Sequence, residues 1–359
     1  MIAYNFHTIG KDASGQASVG QGKLTHPVNT MTSPGSAYRA RCAGSGEQQL
    51  VARLVHDLGS LFSRSLLVAY YVSLKTNPFV VLTGREGAGK AAMAAGVAAS
   101  LVGQDSGQFV TIGSDSWTGH GTQSTYYRDI HTRFGISQLL ETMHEAAVPE
   151  NAGKAYLVLL RGLTLEELDL YLSRLLRVEP HGERRLVLSG LPAAQHPVVP
   201  RNCFLTATIN VPQVSSRLAD QVLRHAGQIQ FSPSLATGAV VPRLIPPPVG
   251  LQRVMLAATT RDPGEARARL VAILGRRELR NLRPSPELMR HLYRQHLAFE
   301  REVREEALLY VANSFDAEGR GLFEPTDPQQ NAQIAFDAQV VQRILWRLEG
   351  HSQQLPRDV

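Results

Sequence analysis

The sequence predicts an α/β fold: a mainly parallel sheet covered by helices on both faces, followed by a smaller helical domain. Three observations predict it. A short apolar run, residues 79–82, leads straight into a glycine-rich loop and then into an alanine-rich stretch, residues 91–102, which is the order strand, loop, helix. Further apolar runs at 109–112, 155–160 and 203–209 alternate with helical periodicity at 136–147 and 165–176, and such alternation builds parallel units. Pro242, Pro246, Pro247 and Pro248 then interrupt the chain, and from Gly250 to His351 every segment is helical in character.

Taken in order, residues 1–46 are rich in Gly, Ser, Thr and Asn with few apolar runs. They read as an N-terminal extension, either a floppy end or a docking arm. From Gln48 the pattern turns helical: Leu50, Val51, Leu54, Leu58, Leu61 and Phe62 recur at three- and four-residue spacing, and an apolar run continues to Leu74. Asn77-Pro78 ends that helix. Residues 184–188, close behind Pro180-His181-Gly182, form one arm of a hairpin. The resulting division is an extension at 1–46, an α/β core at 47–236, a Pro-rich linker at 237–250 and a helical lid at 251–359. No repeat of fixed period is present.

Composition narrows the class. Of 359 residues, 43% are hydrophobic and 19% charged, the profile of a soluble globular protein. No run reaches the 18 or so apolar residues of a membrane span, and Met1 to Lys11 lacks the basic-then-apolar order of a secretion signal. Two distant cysteines, Cys42 and Cys203, make no disulfide framework, which points to a reducing, cytoplasmic compartment. A formal charge of +6 leans towards anionic partners, nucleotide or nucleic acid. None of the twelve histidines pairs at helical ligand spacing with a Cys or carboxylate, so no metal site built from protein ligands is expected. Ser63, Ser65 and Ser189 lack the context of a nucleophile elbow.

The strongest motif is Gly84-Arg85-Glu86-Gly87-Ala88-Gly89-Lys90-Ala91, which fits the G-x-x-x-x-G-K part of a phosphate loop. Its glycines let backbone N–H groups turn inward on phosphates, the following helix adds its positive end, and Lys90 reaches the outer phosphates. The expected ligand is ATP or GTP. The eighth position is Ala91 instead of Ser or Thr, and a methyl group cannot ligate magnesium, so Mg²⁺ is held weakly.

Several further stretches carry a resemblance to the McrB-like branch of the AAA+ P-loop NTPases, which is related to the MoxR group. They are Pro78 through Gly84; Ser114-Asp115-Ser116-Trp117-Thr118 with Tyr126-Tyr127; Leu168-Asp169-Leu170-Tyr171-Leu172-Ser173; Val199 through Phe204 leading to Thr208-Ile209-Asn210; residues 218–226; and, near the end, Ala335 to Gln339 and Ile344 to Gly350. The likeness runs in order from about Leu66 to Gly350, while residues 1–46 match nothing comparable. It implies an AAA+ core and lid, a nucleotide site between subunits, Asn210 as a sensor-like residue, Arg224 as a finger-like residue, and a prokaryotic, defence-type setting.

The departures matter more than the matches. Where this resemblance leads one to expect an Asp-Glu pair closing the second motif strand, the sequence has Arg161 and Gly162. The Asp would order the magnesium water and the Glu would polarise the attacking water; a cation there repels magnesium. Glu166, Glu167 and Asp169 come later, inside the next helix. Arg224-His225 stands where an Asp-Arg pair is expected, one residue out of register. After Asn210 the sequence departs from the asparagine-centred element linked with GTP preference in this branch, which leaves ATP and GTP both open. Residues 261–294 carry nine arginines against four acids, a stretch suited to DNA phosphates, to the nucleotide or a neighbour subunit, or to a solvated lid surface.

Three functions therefore remain in view. The first is a nucleotide-binding AAA+ subunit with weak or absent hydrolysis, a structural or regulatory member of a complex with itself or a related AAA+ subunit and with other proteins of the same system. The second is an active motor remodelling DNA or protein, with Glu166, Glu167 or a partner supplying the acid. The third is a nucleic-acid-binding adaptor that holds no nucleotide.

Overall fold

The computed structural model describes residues 46–113, 136–163, 176–178, 183–187, 192–210, 226–231, 244, 247–248, 250–284, 286–294 and 301–345. Its core is a five-stranded sheet built from β1 (Phe79–Gly84), β2 (Phe109–Gly113), β3 (Tyr156–Leu163), β6 (Cys203–Asn210) and β7 (Gly227–Gln230). All the pairings are parallel and the order is β2-β3-β6-β1-β7. Between them in sequence, β4 (Leu176–Val178) and β5 (Arg184–Leu186) form a separate antiparallel pair.

The strands read as continuous apolar runs because both faces are covered. Val80 and Leu82 of β1, Leu157 and Leu159 of β3, Phe204 of β6 and Ile229 of β7 enter one hydrophobic cluster. They share it with α1 (Gly46–Leu58), α2 (Arg64–Thr76) and α3 (Lys90–Val102). The alternate residues, Phe79 and Val81, Tyr156, Val158 and Leu160, Cys203, Leu205, Ala207 and Ile209, enter a second cluster with Leu139, Met143 and Ala146 of α4 (Ile136–Ala147). A slip of one residue in any strand would exchange the two faces, so the register is fixed from both sides. The alanines of α3 let it lie close on the sheet; nearly the whole helix from Met93 to Val102 is buried.

The strands at 79, 109, 155 and 203 and the helices at 91 and 136 are found within three residues of their expected bounds. Three local expectations change. The helical pattern from Gln48 to Leu74 is two helices, broken at residues 59–63, where Ser63 caps α2 by accepting a hydrogen bond from the Leu66 N–H at 3.3 Å. Leu176, expected to end a helix, begins β4; the rest of that expected helix lies outside the described residues. The edge strand β7 was not expected at all, because Gly227, Gln228 and Gln230 carry no apolar run.

The C-terminal part comprises α5 (Leu251–Ala257), α6 (Pro263–Asn281), α7 (Pro286–Arg294), α8 (Arg301–Asn313) and α9 (Pro328–Val340). Asp262 and Asp327 cap α6 and α9, each with Pro at the first helical position. Between α8 and α9 the chain is not helical: a bridge joins Phe315 to Gly321, and the Asn331 side chain accepts the N–H groups of Phe323 and Glu324. Helix α8 packs on α2 and on α6, so the C-terminal helices lean on the core directly. At that contact the fully buried Lys75 of α2 pairs with Glu47 of α1 and donates to the carbonyl of Asn313 at 2.9 Å. No helix among the described residues is long and apolar enough to cross a membrane.

Candidate nucleotide-binding site

Strand β1 ends at Gly84, opposite Asn210 at the end of β6. Its other neighbour, β7, leads to Phe231, whose N–H donates to the Thr83 carbonyl at 2.8 Å. The loop thus rises from the carboxyl edge of an interior strand, where open α/β sheets bind ligands. Gly84 has φ 145°, and a Cβ placed on it would lie 2.9 Å from the Cβ of Phe231. Neither the conformation nor the space admits a side chain there. Gly87 and Gly89 also take positive φ, 76° and 86°, and Gly89 passes directly into α3.

The candidate residues occupy distinct environments. Arg85, Glu86 and Gly87 are exposed at the tip, whereas Ala88 and Lys90 are buried. Ala91 is half-buried and packs its methyl group against the core. The Lys90 ammonium is held by three oxygens: the Gly84 carbonyl at 2.9 Å, the Arg85 carbonyl at 2.7 Å and the Asn210 Oδ1 at 3.0 Å. Burial pushes the Lys90 ammonium below its ordinary range, and Glu86 opposes the shift. The tertiary fold therefore joins two residues 120 positions apart, Lys90 and Asn210. That pair can address an outer phosphate from two sides, one by charge and one by an amide. Arg224 lies outside the described residues.

The end of β3 departs from regular pairing. Leu160 faces Ala207 of β6 and Leu163 faces Ile209, so Arg161 and Gly162 together oppose Thr208: a β-bulge. Gly162 has φ 73°, and its N–H donates to the Thr208 hydroxyl at 3.0 Å. Arg161 is exposed and stands in register with Gly113 of β2. Among the described residues no carboxylate occupies this strand end. A left-handed residue with a side chain costs roughly 1–2 kcal/mol more than glycine, so Gly162→Ala should lower stability in urea denaturation by about that amount. A neutral result would mean that the bulge relaxes freely. The sequence marks Thr208 only as part of the Thr208-Ile209-Asn210 stretch; its role as the bulge partner of Gly162 gives no signal until the cross-strand pairing is known.

Glu166, Glu167, Asp169 and the stretches around Trp117, Tyr126 and His225 lie outside the described residues. Among the described residues no group of three or more His, Cys, Asp or Glu is placed to hold a metal ion. The basic segment 261–294 is not one uniform stripe. Arg269 donates to the carbonyls of Phe315 and Asp316 at 2.9 and 2.7 Å, and the Arg261 guanidinium lies 5.4 Å from the centre of the Phe204 ring. Arg269 is thereby spent inside the chain, whereas the Nε and Nη2 atoms of Arg261 make no hydrogen bond.

No family model matches the chain, and no curated protein matches it. Solved structures similar to it include a full-length MCM homolog from Methanopyrus kandleri (TM-score 0.42, 13% identity, covering 90% of this chain and 63% of that one). Another is SCCmec type IV Cch, an active helicase (TM-score 0.35, 11% identity, 83% and 51%). A third is C. elegans PCH-2 (TM-score 0.28, 13% identity, 79% and 70%). The chain spans less than two thirds of the length of the first two. The chain itself has an α/β fold: a parallel sheet with helices on both faces, a phosphate-loop motif at the carboxyl end of β1, and helices after the core.

Proposed function

We propose that this chain is a nucleotide-binding AAA+ subunit of the McrB-like branch with weak or absent hydrolysis, acting as a structural or regulatory member of an oligomeric complex. One contrast carries the reading. The loop and its Lys90–Asn210 pair are intact, whereas the strand end that would carry the acids has an exposed Arg161 and a bulge at Gly162. Binding needs the first feature and hydrolysis needs the second. Ala91 adds to the contrast, since its methyl group offers magnesium no ligand. ATP and GTP both fit, and nucleotide serves as glue and conformational signal between subunits.

The purified protein should carry a nucleotide detectable by mass spectrometry. Its phosphate release should fall far below the roughly 1–100 per second of catalysed kinase phosphoryl transfer. Turnover in that range, abolished by Lys90→Ala, would instead make the chain an active motor, with Glu166 and Glu167 the first acids to replace. Light scattering with and without nucleotide, on wild type and Arg224→Ala, tests assembly. A strict monomer under every condition, alone and with related subunits, removes the oligomeric part of this reading.

A further inference from the structure

A second cluster of cations lies at the other edge of the sheet. Pro78 precedes β1, Pro200 to Asn202 precede β6, and both border a cavity of about 710 Å³ together with β5 and the start of α6. Gly84 and the phosphate loop are at the opposite end of β1, roughly 17 Å away at about 3.3 Å per residue. Arg184, Arg201 and Arg261 line this cavity. Arg184 is buried and donates to the Asn77 Oδ1 at 2.9 Å. The Nε and Nη2 atoms of Arg261 are buried without any hydrogen-bond partner, and its guanidinium rests against Phe204.

Among the described residues no carboxylate answers this charge at Arg261. Three acids border the cavity, and each is engaged elsewhere. Asp262 accepts the Glu265 N–H at 2.7 Å as the cap of α6, Glu265 accepts the Thr260 hydroxyl at 3.1 Å, and Glu183 is paired with Arg185 at 3.7 Å. Burial, with Arg184 and Arg201 nearby, lowers Arg261 to about 10, which leaves it charged at neutral pH. A buried cation with unmade hydrogen bonds is costly. Arginine forks suit planar or tetrahedral oxyanions. Pro78, Val199 and Leu256 supply apolar wall beside the polar Asn202 and Thr259, and the volume falls in the range of small-molecule pockets.

We propose that this cavity is a second anion site, distinct from the phosphate loop, in which Arg261, Arg201 and Arg184 bind the phosphate group of a small molecule. The ligand is either a phosphate ester, its organic part against the apolar walls, or free phosphate. This inference does not depend on the nucleotide reading, because it uses none of the loop residues.

The test is calorimetric titration of the full chain carrying Lys90→Ala, which disables the loop, with inorganic phosphate and separately with AMP. Saturable binding of either probe is expected, weakened at least tenfold by Arg201→Gln and by Arg261→Met. Arg201 is exposed, so its replacement leaves the fold intact even if the Arg261 variant unfolds. AMP binding more tightly than phosphate supports an ester ligand; equal affinities support free phosphate. Absence of saturable binding by both probes, or binding unmoved by Arg201→Gln in a folded protein, overturns the proposal.

Discussion

Lys90→Ala should weaken nucleotide binding by more than about tenfold, or roughly 1.4 kcal/mol, while leaving the fold in place. The ammonium is the one positive charge buried within the loop, because Arg85 points outward from its tip. Its loss also dissolves the link between the loop and Asn210, so the amide is no longer held beside the charge it would assist. The fold should survive, since the three oxygens released are two loop carbonyls and the side chain of an exposed residue, all within reach of water. Titration with a labelled nucleotide measures the first effect and circular dichroism the second. Unchanged affinity in a folded variant would remove the phosphate-loop reading and raise the adaptor reading in its place.

Lys75→Met should destabilise the protein by about 3–5 kcal/mol, the usual cost of leaving one member of a buried ion pair alone. Lys75 and Glu47 are both essentially inaccessible to solvent. Burial pushes the Glu47 carboxyl up and the Lys75 ammonium down, and their mutual contact opposes both shifts. The Tyr71 hydroxyl donates to the same Glu47 oxygen at 2.9 Å, while the other carboxylate oxygen has no partner. Removing the lysine would leave that carboxylate buried with one neutral donor. It would also free the Asn313 carbonyl at the end of α8, loosening the contact between the C-terminal helices and the core. The double variant Glu47→Leu, Lys75→Met should recover most of the loss, because an apolar pair of similar volume has no charge to desolvate. Urea denaturation of both variants decides the matter. A single variant as stable as wild type would mean that Glu47 takes up a proton or finds water at little cost.

The sequence by itself determined the α/β class and the position of the loop. Strand β1 is apolar from Phe79 to Leu82, the glycines after it stand where the backbone must turn, and α3 is rich in small, helix-forming residues; these are local properties that spacing reveals. It also set the side-chain chemistry at two points, since a methyl group at Ala91 and a cation at Arg161 are facts independent of conformation. Tertiary structure alone decided the rest. The Lys90–Asn210 contact joins β6 to the loop only because the sheet sets those strands side by side. Strand β7 gains its conformation by pairing with β1, not from its own residues, which carry no apolar run. The bulge that turns Arg161 outward arises from a two-against-one pairing with Thr208, and no periodicity encodes a cross-strand count. Arg261 and Arg269 read in sequence as two members of a basic stripe. In the fold one rests on Phe204 beside a cavity and the other secures the chain after α8, because burial and hydrogen bonding depend on neighbours distant in sequence.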